Sequence, residues 1–171
     1  ADTIFKIDPE MFTWLTHASS AEQLTEICSL VKAGLADKNL TVRESAFNLL
    51  KTLWPTPPAE LSTEIWPLIK AQLTDESGIV RHSALTLLKT LWPTLPAELS
   101  TEIWPLLKAR LTDEDEDVRD SAFTLLNSLW PTLPAEPLAE LWPLLKARLI
   151  DEAESVRHSA LDLLESLLPT L

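Results

Sequence analysis

The side chains that most often bind metals or move protons are few in this sequence. His82 and His158 occupy equivalent positions of a repeated segment, two repeats apart. At the usual spacing of packed helices they would lie about 20 Å from each other, too far to share a metal. His82 could reach Asp120 on the adjacent repeat, but two ligands are too few for a zinc site. We therefore expect a surface pair and no metal site, and His17 has no evident partner.

The single cysteine, Cys28, excludes an internal disulfide and a cysteine-rich zinc site. It stands where tryptophan stands in the later repeats, so we expect a buried and unreactive thiol. The sequence contains no recognisable cysteine-histidine-carboxylate set and no glycine-rich phosphate loop. It therefore predicts a protein that is not an enzyme, with no catalytic residue and no cofactor.

Tryptophan recurs with the repeat at two positions. The residues are Trp54, Trp92 and Trp130 after the second helix of a repeat, and Trp66, Trp104 and Trp142 before a proline in the first helix. A row of aromatic rings can stack on bases or prolines. Tryptophans that border the apolar face of every repeat are, however, more typical of a core between repeats. We favour that interpretation.

The net charge of −12 disfavours contact with nucleic acid and with an anionic membrane surface. Residues 76–171 carry sixteen acidic and eight basic residues, a net charge of −8, so a basic protein or peptide would be attracted mainly to this part. No apolar stretch has the length needed to cross a bilayer. We expect a cytoplasmic protein.

A 38-residue repeat organises the chain. The motifs VRESA, VRHSA, VRDSA and VRHSA begin at Val42, Val80, Val118 and Val156. The units that begin at Pro58 and Pro96 differ at only nine of 38 positions, far fewer than chance allows. We predict one domain over 1–171, with a cap over 1–19 and repeats at about 20–57, 58–95, 96–133 and 134–171.

Each repeat contains two helical patterns. In the second repeat, apolar side chains recur at helical spacing over Pro58–Leu73 and again over Gly78–Trp92. Both apolar faces span roughly 160°, wider than the stripe of about 100° that one neighbouring helix requires. Each helix must therefore pack against its own partner and against the next repeat, as in a solenoid. We predict an all-α fold of four helical hairpins, preceded by a capping helix at 9–17.

The stretch EIWPLLKARLTDEDEDVRDSAFTLLNSL, residues 102–129, resembles the HEAT repeat consensus. HEAT units carry a proline in the first helix, an aspartate in the turn and a valine-arginine pair opening the second helix. In this sequence the prolines are Pro67, Pro105 and Pro143, and Ser29 stands at that position in the first repeat. The turn aspartates are Asp37, Asp75, Asp113 and Asp151, and the arginines are Arg43, Arg81, Arg119 and Arg157.

The resemblance covers residues 20–168. It implies a right-handed α-α superhelix with the second helices on the concave side. It also implies that the turn aspartates and the arginines form a structural ladder of hydrogen bonds along the stack. The usual role of such a solenoid is a scaffold or a protein-binding surface.

Exposed positions of the second helices vary between repeats, whereas the first helices stay nearly constant. Of the nine differences between the second and third repeats, seven fall in the turn and the second helix. A varied face on a constant framework suits recognition of a protein partner; drift after duplication is the alternative. We predict partner binding on the concave face by Glu44, Asn48, Lys51, His82, Thr86, Lys89, Asp120, Thr124, Asn127, His158, Asp162 and Glu165.

Three alternatives stay open. Near-identical repeats also suit a structural or designed repeat protein without a dedicated ligand. Phycobilin lyases resemble HEAT solenoids as well, whereas the HEAT-like DNA glycosylases bind through a basic groove that the neutral-to-acidic second helices do not provide. Finally, the last helix has an apolar face without a polar cap, which predicts a longer array or self-association through the C-terminal repeat. The residues of that face are Leu161, Leu164, Leu167 and Leu168.

Overall fold

The computed structural model describes residues 21–53, 59–94, 99–129 and 137–168. These residues form helices and contain no strand. The helices are α1 (Ala21–Leu35), α2 (Leu40–Leu53), α3 (Ala59–Gln72), α4 (Gly78–Leu91), α5 (Leu99–Arg110), α6 (Glu116–Leu129), α7 (Pro137–Arg148) and α8 (Glu154–Leu167), with a short 3₁₀ turn at Trp92–Thr94.

The all-α prediction is confirmed. The patterns over Pro58–Leu73 and Gly78–Trp92 correspond to α3 and α4, each within one residue at either end. Odd-numbered helices are the first helices of the repeats, and even-numbered helices are the second. The capping helix predicted at 9–17 lies outside the described residues.

The turn between the two helices of each repeat is held by its aspartate. In all four turns one carboxylate oxygen accepts the backbone N–H two residues later, at distances of 2.7–3.1 Å. The residues are Asp37, Asp75, Asp113 and Asp151. An aspartate side chain can replace a backbone acceptor in this way and so favours a tight turn. The constant aspartate therefore sets where each second helix begins.

The chain comprises two compact units, Ala1–Gln72 and Leu73–Leu171. In the first unit, α1 packs against α2 and α3. In the second unit, α4, α6 and α8 pack side by side as a row of second helices, while α5 packs on α6 and α7 on α8. The backbones of α4, α6 and α8 lie close together along this row.

Four apolar positions of the second helix are buried in each repeat of the second unit. They are Val80, Val118 and Val156; Ala84, Ala122 and Ala160; Leu87, Leu125 and Leu163; and Leu91, Leu129 and Leu167. Their spacing places them on one broad face, and alanine lets neighbouring helices approach closely. Within the described ranges, no helix is long and apolar enough to cross a membrane.

The interpretation of the tryptophans as core residues is wrong for Trp142. Trp66 is buried and Trp104 is half-buried, but Trp142 is 44% exposed. The indole N–H of Trp104 donates to Glu140 of the next repeat, whereas no described helix follows α8 to supply such a partner to Trp142. Trp92 is half-buried, and Trp54 and Trp130 fall outside the part that the structure describes.

We predict that the core between the second helices tolerates the residue found in another repeat but not truncation. Phe123 is fully buried, and Leu85 occupies the equivalent position. Phe123→Ala should lower the free energy of unfolding by about 3–5 kcal/mol, because it leaves a cavity. Phe123→Leu should cost less than about 1.5 kcal/mol. Urea unfolding of the two variants measures this difference, and equal losses would contradict the packing described.

Candidate protein-binding surface

An arginine at the start of α4 links two consecutive repeats. The Nε and Nη2 groups of Arg81 donate to the two carboxylate oxygens of Asp113, 32 residues later. Its Nη1 donates to the carbonyls of Asp75 and Glu76, both at 2.9 Å, in its own turn. The guanidinium therefore joins its own turn to the turn of the next repeat. Such a two-pronged, charge-assisted bond fixes orientation as well as distance.

The same arrangement recurs one repeat later. Arg119 donates through Nε and Nη2 to Asp151 at 3.0 and 2.8 Å, and through Nη1 to the carbonyls of Asp113 and Glu114. We call Arg81, Asp113, Arg119 and Asp151 the inter-repeat ladder. Arg43 and Arg157 also donate through Nη1 to the carbonyls of their own turns.

The ladder carboxylates are buried with their partners. The side chains of Asp113 and Asp151 are 4% and 2% exposed. Burial by itself would raise the pKa of Asp151, but hydrogen bonds from Arg119, Arg148 and the backbone outweigh it and lower the pKa to about 2. The same balance of burial against the Arg81 hydrogen bond holds the pKa of Asp113 below its usual value. The bond to Asp113 conversely raises the pKa of Arg81. The ladder is thus fully charged at neutral pH.

A second set of contacts joins the ends of the first helices. Within the first unit, Gln72 donates to the carbonyl of Leu35 at 2.9 Å. At the equivalent position of the second unit, Arg110 donates to the carbonyl of Leu73 at 2.9 Å, satisfying a helix-end carbonyl. Sequence reasoning missed this contact. The available signal was a long hydrogen-bond donor recurring at the end of the first helix.

The residues predicted to bind a partner on the concave face lie on one side of the second helices, which we call the outer face. On α2 of the first unit, Asn48 and Lys51 are exposed and Glu44 is half-buried. In the second unit, the exposed members are Thr86, Lys89, His158, Asp162 and Glu165, and the half-buried members are His82, Asp120, Thr124 and Asn127.

Serine side chains link the second helices beneath this surface. His82 Nδ1 lies 2.7 Å from Ser121 Oγ and 3.2 Å from the carbonyl of Asp117, both on α6. Ser159 on α8 donates to Asp120 at 2.6 Å. The expected pair of His82 and Asp120 therefore does not form. His82 contacts Ser121 instead, and Asp120 contacts Ser159. The signal was present in the sequence, because the serine of the VRxSA motif recurs in every repeat.

Charge on this surface changes along the second unit. Lys89 is exposed on α4, Asp120 is half-buried on α6, and Asp162 and Glu165 are exposed on α8. His158 lies 3.2 Å from Asp162 and adds a cation only when protonated. The α8 end of the surface is thus acidic at neutral pH, and it can hold basic groups by charge.

The described residues include no group of three or more histidine, cysteine or acidic side chains placed to hold a metal ion. Cys28 is buried in α1 and has no disulfide.

The architecture is a helical repeat solenoid of the HEAT and armadillo type, and solved structures share it. Cex1p superposes with a TM-score of 0.66 at 17% identity, over 82% of this chain and 28% of Cex1p. Kap121p superposes with a TM-score of 0.67 at 16% identity, over 98% of this chain and 17% of its own. The chain thus spans less than a third of the length of either protein.

A third similar structure is the designed armadillo repeat protein YIII(Dq.V1)4CPAF in complex with peptide (KR)4. It superposes with a TM-score of 0.58 at 18% identity, over 85% of this chain and 68% of that protein. Residues 15–168 match the model of the family described as Sister chromatid cohesion protein PDS5, and the chain belongs to this family. A comparison with curated protein sequences finds no match.

We predict that the ladder makes stability sensitive to acid. The folded pKa of Asp151, about 2, lies below the value of about 3.9 for an unfolded aspartate. Its contribution to stability is therefore complete above about pH 4 and is lost as the pH falls toward 2. Asp151→Asn should lower the free energy of unfolding at neutral pH by about 3 kcal/mol, because it leaves Arg119 unpaired. It should also flatten the dependence on pH between about 4 and 2.

Urea unfolding over this pH range measures both effects. The matched control is Glu152→Gln at the exposed neighbouring residue, which should change neither quantity appreciably. An Asp151→Asn variant with the same pH dependence as the unsubstituted protein would contradict the role given to the ladder.

Proposed function

We propose that the chain is a non-catalytic protein-binding module, and that the outer face of its second helices binds a basic protein segment. The observation that carries this proposal is the exposed acidic end of that face, Asp162 and Glu165 on α8, beside the half-buried Asp120 on α6. Carboxylates on a rigid helix row attract and orient lysine and arginine side chains. The same negative charge opposes nucleic acid and an anionic membrane as partners.

The row of second helices also suits the length of an extended peptide. Packed helices lie about 8–10 Å apart, and an extended chain rises about 3.3 Å per residue. About three residues therefore cross each helix, and a segment of about eight residues spans α4, α6 and α8. Positively charged residues of such a segment would meet Asp120, Asp162 and Glu165 in turn, while its polar groups face Thr86 and Thr124.

The comparisons support a binding role for this kind of fold. The designed armadillo protein was solved in complex with the basic peptide (KR)4, so a helical repeat protein can bind a positively charged peptide. The family takes its description from a sister chromatid cohesion protein. Cytoplasmic localisation stays a prediction.

The second candidate is a structural or designed repeat module without a dedicated ligand. The near identity of the second and third repeats favours it, since only nine of 38 positions differ. The two candidates differ in one measurable property, the affinity of the outer face for a basic peptide. The binding experiment therefore decides between them.

We predict that a fluorescently labelled (KR)4 peptide binds the chain and that its affinity depends on α8. Asp162→Asn combined with Glu165→Gln should raise the Kd roughly tenfold. Each exposed ion pair contributes up to about 1 kcal/mol, and 1.4 kcal/mol corresponds to a factor of ten. Fluorescence anisotropy at an ionic strength of about 0.1 M measures the Kd.

The matched control removes the same charge from the turns by Glu76→Gln combined with Glu152→Gln, at residues that are also exposed. This variant should bind within about twofold of the unsubstituted chain, because a separation of about 10 Å or more is largely screened in salt. An equal loss in both variants would mean attraction by net charge alone. Absence of binding by the unsubstituted chain would favour the module without a ligand.

A further inference from the structure

Positions that are covered in the inner repeats are uncovered on the last one. Leu85 on α4 is 1% exposed and Phe123 on α6 is fully buried, but Leu161, their equivalent on α8, is 56% exposed. Trp104 is half-buried, whereas its equivalent Trp142 on α7 is 44% exposed. Among the described residues, nothing packs on this side of α7 and α8. We call the surface formed by Trp142, Lys146, Arg157 and Leu161 the outer end.

The polar groups of the outer end match groups that bind the next repeat elsewhere. Lys108 donates to Glu140 at 2.7 Å, together with the indole N–H of Trp104. Arg119 binds the carboxylate of Asp151. The interface between the third and fourth repeats therefore joins a tryptophan, a lysine and an arginine to two carboxylates that stand eleven residues apart.

Their equivalents on the outer end lack these carboxylates. Lys146 instead lies over the ring of Trp142, 5.8 Å from its centroid. Arg157 donates through Nη1 to the carbonyls of Asp151 and Glu152 in its own turn. The Nε and Nη2 groups of Arg119 bind an aspartate of the next repeat. Within the described part of the chain, no equivalent aspartate lies beside the Nε and Nη2 groups of Arg157. The outer end thus has both the cations and the apolar surface that bind the following repeat elsewhere in the stack.

The first repeat carries the complementary set. Glu26 on α1 and Asp37 in the turn after it are the equivalents of Glu140 and Asp151, with the same eleven-residue spacing, and both are exposed. Leu30 on α1 is 49% exposed, whereas its equivalents Leu106 and Leu144 are half-buried. The hairpin of α1 and α2 therefore presents two carboxylates and an exposed apolar side chain in the pattern that the outer end lacks.

We propose that the outer end binds the first hairpin of a second copy of this chain, head to tail. Arg157 of one copy then binds the carboxylate of Asp37 in the next copy, as Arg119 binds Asp151. Lys146 and Trp142 bind the carboxylate of Glu26, as Lys108 and Trp104 bind Glu140. Burial of Leu161 adds an apolar contribution. Because this contact joins two different surfaces, it can extend to further copies, but the net charge of −12 on each copy opposes long chains.

Sedimentation velocity over a wide range of concentration tests the association. The unsubstituted chain should sediment faster as the concentration rises. Arg157→Asp should abolish this dependence, because it opposes a carboxylate to Asp37. Thr90→Asp combined with Ser128→Asp makes the same change of net charge at exposed positions of α4 and α6 outside the outer end and outside the predicted binding set. This variant should associate normally. Circular dichroism and thermal melting check that both variants are folded. A monomer at every concentration would overturn the proposal. That result would also be obtained if a different protein, and not a second copy, covers the outer end.

A charge exchange tests the register without touching a side chain that holds the fold. Lys146→Glu and Glu26→Lys each place like charges at one contact, so each variant alone should show an association constant about fivefold lower. An equimolar mixture should recover association, because the outer end of the Lys146→Glu variant then meets the first hairpin of the Glu26→Lys variant with opposite charges. Unchanged association of the single variants, or no recovery in the mixture, would overturn the head-to-tail register.

Discussion

The bond between an arginine of one repeat and an aspartate of the next is the interaction on which the second unit depends. The carboxylate of Asp151 has three functions at once. It accepts the backbone N–H of Ala153 that closes its own turn, a hydrogen bond from Arg148 at the end of α7, and two from Arg119 of the preceding repeat. Apolar burial drives the stacking but has no direction. The two-pronged bond supplies the direction and the register.

This constraint also explains why polar side chains of the second helices stay exposed on the outer face. The ladder and the apolar face hold α4, α6 and α8 in a row, and the serines of the VRxSA motif tie neighbouring helices beneath the surface. His82 and Asp120 are partly used by these serine contacts. The residues left with the greatest freedom to meet a partner are those one or two turns further along, such as Lys89, Asp162 and Glu165.

The sequence predicts the repeated architecture because periodicity is a local and repeated signal. The helices, the turn aspartates and the buried valine, alanine and leucine positions all follow from helical spacing within one repeat. The choice of partner between repeats is not local. The resemblance implied a ladder of turn aspartates and arginines along the stack, but the spacing within one repeat does not specify which groups pair. In the structure, Arg81 donates to the backbone carbonyl of Asp75 and to the carboxylate of Asp113. Likewise, His82 meets Ser121 because the helix packing brings that serine closer than Asp120.

The exposure of Trp142 illustrates a second limit of sequence reasoning. Its type and position equal those of Trp104, so the pattern assigns both to the core. The two tryptophans differ in their neighbours. Glu140 of the following repeat accepts the indole N–H of Trp104, whereas no described helix lies beside Trp142 in the equivalent place. A repeat sequence specifies what a side chain can bind, but the position of the repeat in the stack decides whether the partner is there. The variation of charge along the outer face has a related origin, because only exposed positions are free to vary without loss of packing.

The ladder couples consecutive repeats energetically. A double-mutant cycle between Arg119 and Asp151 measures this coupling, with Arg119→Ala, Asp151→Ala and the double variant compared by urea unfolding. We expect a coupling energy of about 2–3 kcal/mol, and a smaller one for the exposed pair Lys108 and Glu140. Losses that are additive within about 0.5 kcal/mol would show that the two side chains are not coupled.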